Sequence, residues 1–145
     1  MKRKNKLFLL ILSLLLLVNG YCYLVPMFKT SDKNLENEVA ELVLNSQDLI
    51  NSYTLNEEKS DSLYAGKIIE VTGFIKKISF LNNRNTIILN SNTDSFGVIC
   101  DLHANEVEKI KQLKENQKIR VKGICKGFLK DVILLNCSID LIPNE

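Results

Sequence analysis

Ile69-Glu70-Val71-Thr72-Gly73-Phe74-Ile75 is the stretch whose reading decides the fold. Ile69, Val71, Gly73 and Ile75 recur at every second position, the spacing of a strand with one face turned inward. Gly73 inside that run predicts a bend or bulge. Downstream, Asn82-Asn83 lies between two apolar runs and reads as a hairpin turn. Thr86–Leu89 is then a second strand, Asn90-Ser91-Asn92-Thr93-Asp94 a polar loop, and Val98, Cys100 and Leu102 one face of a third strand. Asn105 and Glu108 have capping-box spacing at the start of a short helix. Val107, Ile110 and Leu113 form its apolar stripe, and Asn116 can terminate it. Ile119, Val121 and Gly123 alternate in strand four. Lys126–Lys130 reads as a turn, and Val132–Leu141 as strand five, with Ile133, Leu135, Cys137 and Ile139 on one face.

The chain is therefore expected to be mainly β. Five strands with a helix between the third and fourth is the order of the OB-fold, a partly open Greek-key barrel. Upstream, residues 29–64 read as a helical lead-in to a barrel over 65–145. Leu35, Val39 and Leu42/Val43 share one face of a helix over 34–44. Ser46 can cap a second helix, Asp48 suits its positive end, and Leu49, Tyr53, Ser60 and Leu63/Tyr64 form its stripe. Gly66 ends it.

Residues 1–28 are a different kind of sequence. Leu7 to Val18 is interrupted only by Ser13, and apolar character continues to Met27. About 20 largely apolar residues cross a hydrocarbon core, so a transmembrane segment is predicted at about 7–27. Lys2, Arg3, Lys4 and Lys6 precede it, which predicts the N-terminus inside and the remainder outside. An uncleaved signal anchor, a cleaved signal and a lipoprotein signal with lipidation at Cys22 all fit. A cleaved signal wants small residues before the cut, which Val18-Asn19-Gly20 supplies only in part, and a lipoprotein signal wants a small residue where Tyr21 stands. All three export the rest of the chain. From residue 29 onward 15 basic residues face 17 acids, so no strong positive field favours binding to a nucleic-acid backbone.

Ser52-Tyr53, Asn56-Glu57, Tyr64, Gly66-Lys67 and Glu70-Val71-Thr72-Gly73 together resemble the tRNA_anti-like family of bacterial OB-fold proteins. Gly97-Val98-Ile99-Cys100, Gly123-Ile124-Cys125-Lys126-Gly127 and Val132-Ile133-Leu134-Leu135-Asn136-Cys137 extend the resemblance over roughly residues 46–141. It implies an OB barrel and an exported domain, in a family many of whose members are described as lipoproteins, a pattern from which Tyr21 departs. It does not imply tRNA binding, because the family name records likeness to an anticodon-binding fold.

Catalysis is not expected. His103 is the only histidine, no His/Cys spacing suits a zinc site, and no Gly-rich phosphate loop follows a strand. No cofactor is implied. Cys100, Cys125 and Cys137 fall on inward faces, and export favours oxidation. A turn between Phe128 and Leu129 would set Cys125 opposite Val132 and Cys137 opposite Arg120, too far apart to bond. Strands three and five are neighbours in a closed barrel, so Cys100–Cys137 is the expected disulfide, and three reduced core thiols are the alternative.

OB folds bind across strands two and three and the two hairpin loops. Arg84, Lys126, Phe128 and Lys130, beside Asn82 and Asn83, are the candidate ligand-binding residues. Phe80 and Phe96 read as core, which leaves few aromatic platforms for nucleic acid. The sequence thus points to an extracytoplasmic, membrane-anchored OB-fold binding module. Its partners would be the membrane, through the N-terminal segment, and an envelope protein, a peptide or a glycan. The alternative is a single-stranded nucleic-acid binder.

Overall fold

The computed structural model describes residues 11–21, 34–81, 84–91 and 95–142. The chain divides into two units, Met1–Asp32 and Lys33–Glu145. In the first unit residues 11–21 form helix α1, whose leucines are exposed. Among the described residues no helix is long and apolar enough to cross a membrane. Residues 7–10 and 22–27 of the span expected at 7–27, and with them the lipidation site expected at Cys22, lie outside the described residues.

The second unit is a closed barrel with helices. Strand β1 (Leu42–Asn45) leads into helices α2 (Ser46–Leu55) and α3 (Glu57–Tyr64), then β2 (Ile68–Leu81), β3 (Arg84–Leu89) and β4 (Val98–Leu102). A 3-10 turn, Ala104–Glu106, runs into α4 (Val107–Ile110), and β5 (Lys118–Leu129) and β6 (Asp131–Asp140) complete the fold. The sheet order is β1-β2-β3-β4-β6-β5, and β2–β5 pairing closes the barrel. This is the five-strand OB arrangement with one short parallel strand, β1, added to the edge of β2.

Strand β2 bends to serve both sides of the barrel. Ile68–Phe74 pairs with β5, and Ile75–Leu81 with β3. The bulge falls between Ile75 and Lys77, not at Gly73. Gly73 is needed for another reason: a Cβ there would lie 2.7 Å from Ser46 Oγ, so its absence lets α2 close on the sheet. Ile69, Val71 and Ile75 are fully buried, as are Ile87, Leu89, Val98, Cys100, Ile119 and Val121. Leu49, Ile50 and Tyr53 of α2 join the same core.

Residues 34–44 are not a helix. Leu35 is buried, but Val39 is 86% and Val43 66% exposed, because Leu42–Asn45 pairs parallel to Ile69–Thr72. Glu41 N–H donates to Ile68 C=O at 2.8 Å, which starts that ladder. The cap of α2 is Asn45, whose Oδ1 accepts from Asp48 N–H at 2.8 Å. Ser46 instead donates its hydroxyl to Asn90 C=O at 2.8 Å. At the other short helix the expected Asn105–Glu108 box is absent, and His103 Nδ1 caps the 3-10 turn by accepting from Asn105 N–H.

The β5–β6 hairpin is tighter than its sequence suggests. Leu129 pairs with Asp131 around Lys130, which takes φ 69°. This places Cys125 opposite Leu134 rather than Val132, and Arg120 opposite Asp140 rather than Cys137. Two bulges then change the phase of the strands. One follows Cys125, where Gly127 has φ 112°; the other lies opposite Gly123, where Asn136 has φ 53°. The inward residues of β6 are consequently Val132 and Leu134, then Cys137 and Ile139, while Ile133 and Leu135 are only half-buried.

Candidate ligand face

The outer face of β3 and β4 is built by cross-strand rows. Lys77 pairs with Ile88, Ile88 with Ile99, and Ile99 with Ile133, so one cation and three half-buried isoleucines cross the sheet. The next row is Ser79, Thr86 and Asp101. Beyond it Arg84, exposed at the end of the β2–β3 hairpin, places its guanidinium 3.3 Å from the Asp101 carboxylate. The turn residues Asn82 and Asn83 lie outside the described residues.

At the opposite end the face deepens into a cleft of about 410 Å³, lined among others by Lys76, Lys77, Ile88, Phe96 and Lys130. Its wall is fixed by the segment before β4. Ser91 Oγ donates to Phe96 C=O at 2.8 Å, and Gly97 N–H donates to Asp131 Oδ1 at 2.7 Å. A Cβ on Gly97 would stand 2.9 Å from Ile88 Cγ2, so glycine lets this segment lie on the isoleucine row. Asp131 is engaged in that hydrogen bond, and neither Lys77 nor Lys130 makes an ion pair among the described residues. The cleft thus sets three lysines, with Glu115 and Asp131 among them, around an apolar floor of Ile88 and Phe96.

The four sequence-predicted residues are not gathered together. Lys130 lines the cleft, Arg84 stands at the far end of the face paired with Asp101, and Lys126 is exposed on the β5 bulge. Phe128 is packed away. Its ring stacks on Tyr53 at 5.6 Å between centroids, with Phe96 on another side at 5.9 Å. Phe80, read as core, is 67% exposed at the end of β2. Lys76, Lys77 and Ile88 join the cleft without belonging to any motif read in the sequence. The one available signal is the Lys76-Lys77 pair, which breaks the alternation of the strand at the bulge.

A second cleft, about 450 Å³, is lined by charges paired with one another. Lys109 Nζ meets Glu36 Oε1 at 3.1 Å and Glu106 Oε2 at 3.3 Å, and Arg120 meets Glu70 at 3.2 Å and Asp140 at 3.5 Å. Glu106, 1% exposed, also accepts from Ile139 N–H at 2.9 Å. Lys122 donates to the Glu36 and Glu38 carbonyls. These contacts bind residues 34–41 to the barrel and leave little free charge for a ligand.

Cys100, Cys125 and Cys137 are free thiols and fully buried. Cys125 Sγ lies 3.4 Å from the Tyr53 hydroxyl. Burial, with Cys125 and Asp61 adding, pushes that phenol far above its ordinary range. Burial likewise raises the Cys137 thiol, with the neighbouring Cys100 adding, and Cys100 Sγ–H donates to Val98 C=O at 3.8 Å. Among the described residues no group of three or more His, Cys, Asp or Glu is placed to hold a metal ion.

The family model described as tRNA_anti-like matches residues 1–139, the barrel and everything before it. The chain belongs to the tRNA_anti-like family. Alignment with a solved structure supports the fold. A Klebsiella pneumoniae protein proposed to be a nucleic acid-binding lipoprotein aligns with a TM-score of 0.56 at 18% identity, over 67% of this chain and 90% of that one. The Schizosaccharomyces pombe Stn1–Ten1 complex (TM-score 0.44, 12% identity) aligns over 53% of this chain and 59% of its own. Asparaginyl-tRNA synthetase from Pyrococcus horikoshii (0.44, 15%) aligns over 55% of this chain and 20% of its own. No curated protein matches the tRNA_anti-like chain.

Proposed function

We propose that this tRNA_anti-like protein is an extracytoplasmic, membrane-tethered binding module that seats its ligand across the outer face of β3 and β4. The carrying observation is the cleft in which Lys77 and Lys130 rim a floor of Ile88 and Phe96. Cations that form no ion pair among the described residues, beside half-exposed apolar surface, suit a ligand that is both anionic and partly apolar. The tether rests on the sequence: four cations, then an apolar run to Met27. No catalytic role is assigned, since His103 is engaged as a cap and the barrel thiols are buried.

A photo-crosslinking residue at Ile88 in the full chain tests this in cells. Adducts to components beyond the cytoplasmic membrane, lost with Lys77→Glu and Lys130→Glu, are expected. Adducts that appear only to cytoplasmic components would overturn it.

A second reading is a single-stranded nucleic-acid binder. Lys76, Lys77 and Lys130 beside Phe96, with Phe80 exposed at the end of β2, are the pairing of cations and aromatics that such binding uses. The provisional name of the Klebsiella pneumoniae relative points the same way. Titrating the full chain in detergent with a labelled single strand decides it. Affinity that falls steeply with salt favours the second reading, and no binding at low salt removes it.

A further inference from the structure

We propose that the cleft continues as an aliphatic track around the outside of the barrel, and that its ligand is an anionic single-chain amphiphile, a carboxylate carrying an acyl chain. This ligand class rests on the cleft proposed above as the binding site.

Each strand adds one side chain to the track. Lys77 pairs with Ile88, Ile88 with Ile99 and Ile99 with Ile133. The three isoleucines are half-buried. Leu135 and Ile124, cross-strand partners in β6 and β5 and half-buried as well, widen the floor past Ile133. At roughly 4.8 Å per strand, the row runs about 14 Å from Lys77 to Ile133. One flank is polar: Ser79, Thr86 and Asp101 form the neighbouring row, with Arg84 held on Asp101. At the Lys77 end the exposed Lys130 also lines the cleft. Glu115 lines it too, and Asp131 there has its Oδ1 engaged by Gly97 N–H.

The floor selects the chain, and the lysines select the head. Isoleucines offer no hydrogen bonds, so an extended peptide would turn some of its N–H and C=O groups onto carbon and leave them unpaired. A nucleic-acid strand wants cations along its path and rings to stack on, and this row presents isoleucines. An acyl chain carries no polar group and gains with each methylene it covers. A carboxylate head between Lys77 and Lys130 then fixes its direction, tail toward Ile133.

Photolabelling tests the ligand class. The full chain in phosphatidylcholine nanodiscs, given decanoate with a diazirine near its tail end, should be labelled at or beside Ile99 and Ile133. Unlabelled carboxylates should compete about twofold better per added methylene until the row is filled, since one side of the chain stays wet. Dodecylamine should not compete. Lys77→Glu with Lys130→Glu should abolish the labelling. Ile99→Thr should weaken competition by decanoate roughly fourfold and leave that by hexanoate unchanged. Label scattered over the barrel, dodecylamine competing as well as dodecanoate, or competition by an acidic peptide or a single strand alone would overturn the ligand class. The location is judged apart from it, by the Ile88 adducts in cells. Row labelling with cytoplasmic adducts alone would uphold the amphiphile and overturn the location. Adducts beyond the membrane that carry no acyl chain would uphold the location and overturn the amphiphile.

Discussion

Phe128 lies ring on ring against Tyr53, with centroids 5.6 Å apart and planes 13° from parallel. Tyr64 packs on the other part of Tyr53 at 5.9 Å, so helices α2 and α3 are joined to β5 through one aromatic cluster. Phe128→Ala should therefore act on stability before it acts on binding. A loss of roughly 3 kcal/mol is expected in urea unfolding, at the low end for Phe→Ala because the ring is only half-buried. Loss of ligand with unchanged stability would contradict this placement.

Gly123 is required by its neighbours rather than by its own dihedral angles. Its Cβ position lies 2.6 Å from Cys137 Sγ and 3.1 Å from Leu134 Cβ. Gly123→Ala should cost about 2 kcal/mol by overpacking. Cys137→Ala in the same chain should recover part of that, a coupling that a double-mutant cycle measures.

Glu106, buried at the end of the 3-10 turn, holds the end of β6, accepting from Ile139 N–H while facing Lys109. Glu106→Ala leaves the Ile139 N–H without its acceptor and removes a buried countercharge from Lys109, which keeps Glu36 and the Ile139 carbonyl. The expected cost in chemical denaturation is about 3 kcal/mol.

The same cluster sets a pH dependence. Hydrogen bonding and charge from Lys109 hold Glu36 below its ordinary 4.5. Its contribution is present above that value and is lost as pH falls through the lower folded pKa. Burial alone would lower Lys109, but the hydrogen bond to Glu36 and the charge of Glu106 outweigh it and raise it above 10.5. That contribution is intact below 10.5 and is lost as pH climbs through the raised pKa. Melting curves should decline at both extremes, and Lys109→Met should flatten both limbs.

Charge reversal in the cleft should separate binding from folding. Lys77→Glu with Lys130→Glu should abolish ligand capture while shifting stability by no more than about 0.5 kcal/mol per site, because both side chains are exposed. Thermal melts run beside the binding assay check this.

Much of the barrel is legible in the sequence because its signals are local. Ile69, Val71 and Ile75 alternate, and so do Val98, Cys100 and Leu102, and each set is buried as its spacing implies. The misread parts depend on partners distant in the chain. Leu35, Val39 and Leu42 have helical spacing, yet parallel pairing of β1 with β2 overrides it. The inward face of β6 changes phase at Asn136, whose left-handed conformation no periodicity reveals. Moving the β5–β6 turn from between Phe128 and Leu129 to Lys130 shifts the partner of Cys125 by two residues and that of Arg120 by three. The candidate cleft suffers likewise. Lys130 is readable from its hairpin, whereas Lys77, Ile88 and Phe96 come together only when three segments meet.

The most direct test of a barrel displayed outside the membrane with its cleft open is lysine labelling in intact cells stripped to their inner membrane. A membrane-impermeant amine reagent should modify Lys77 and Lys130 of the full chain before lysis. Modification of these lysines only after the membrane is broken would contradict the account.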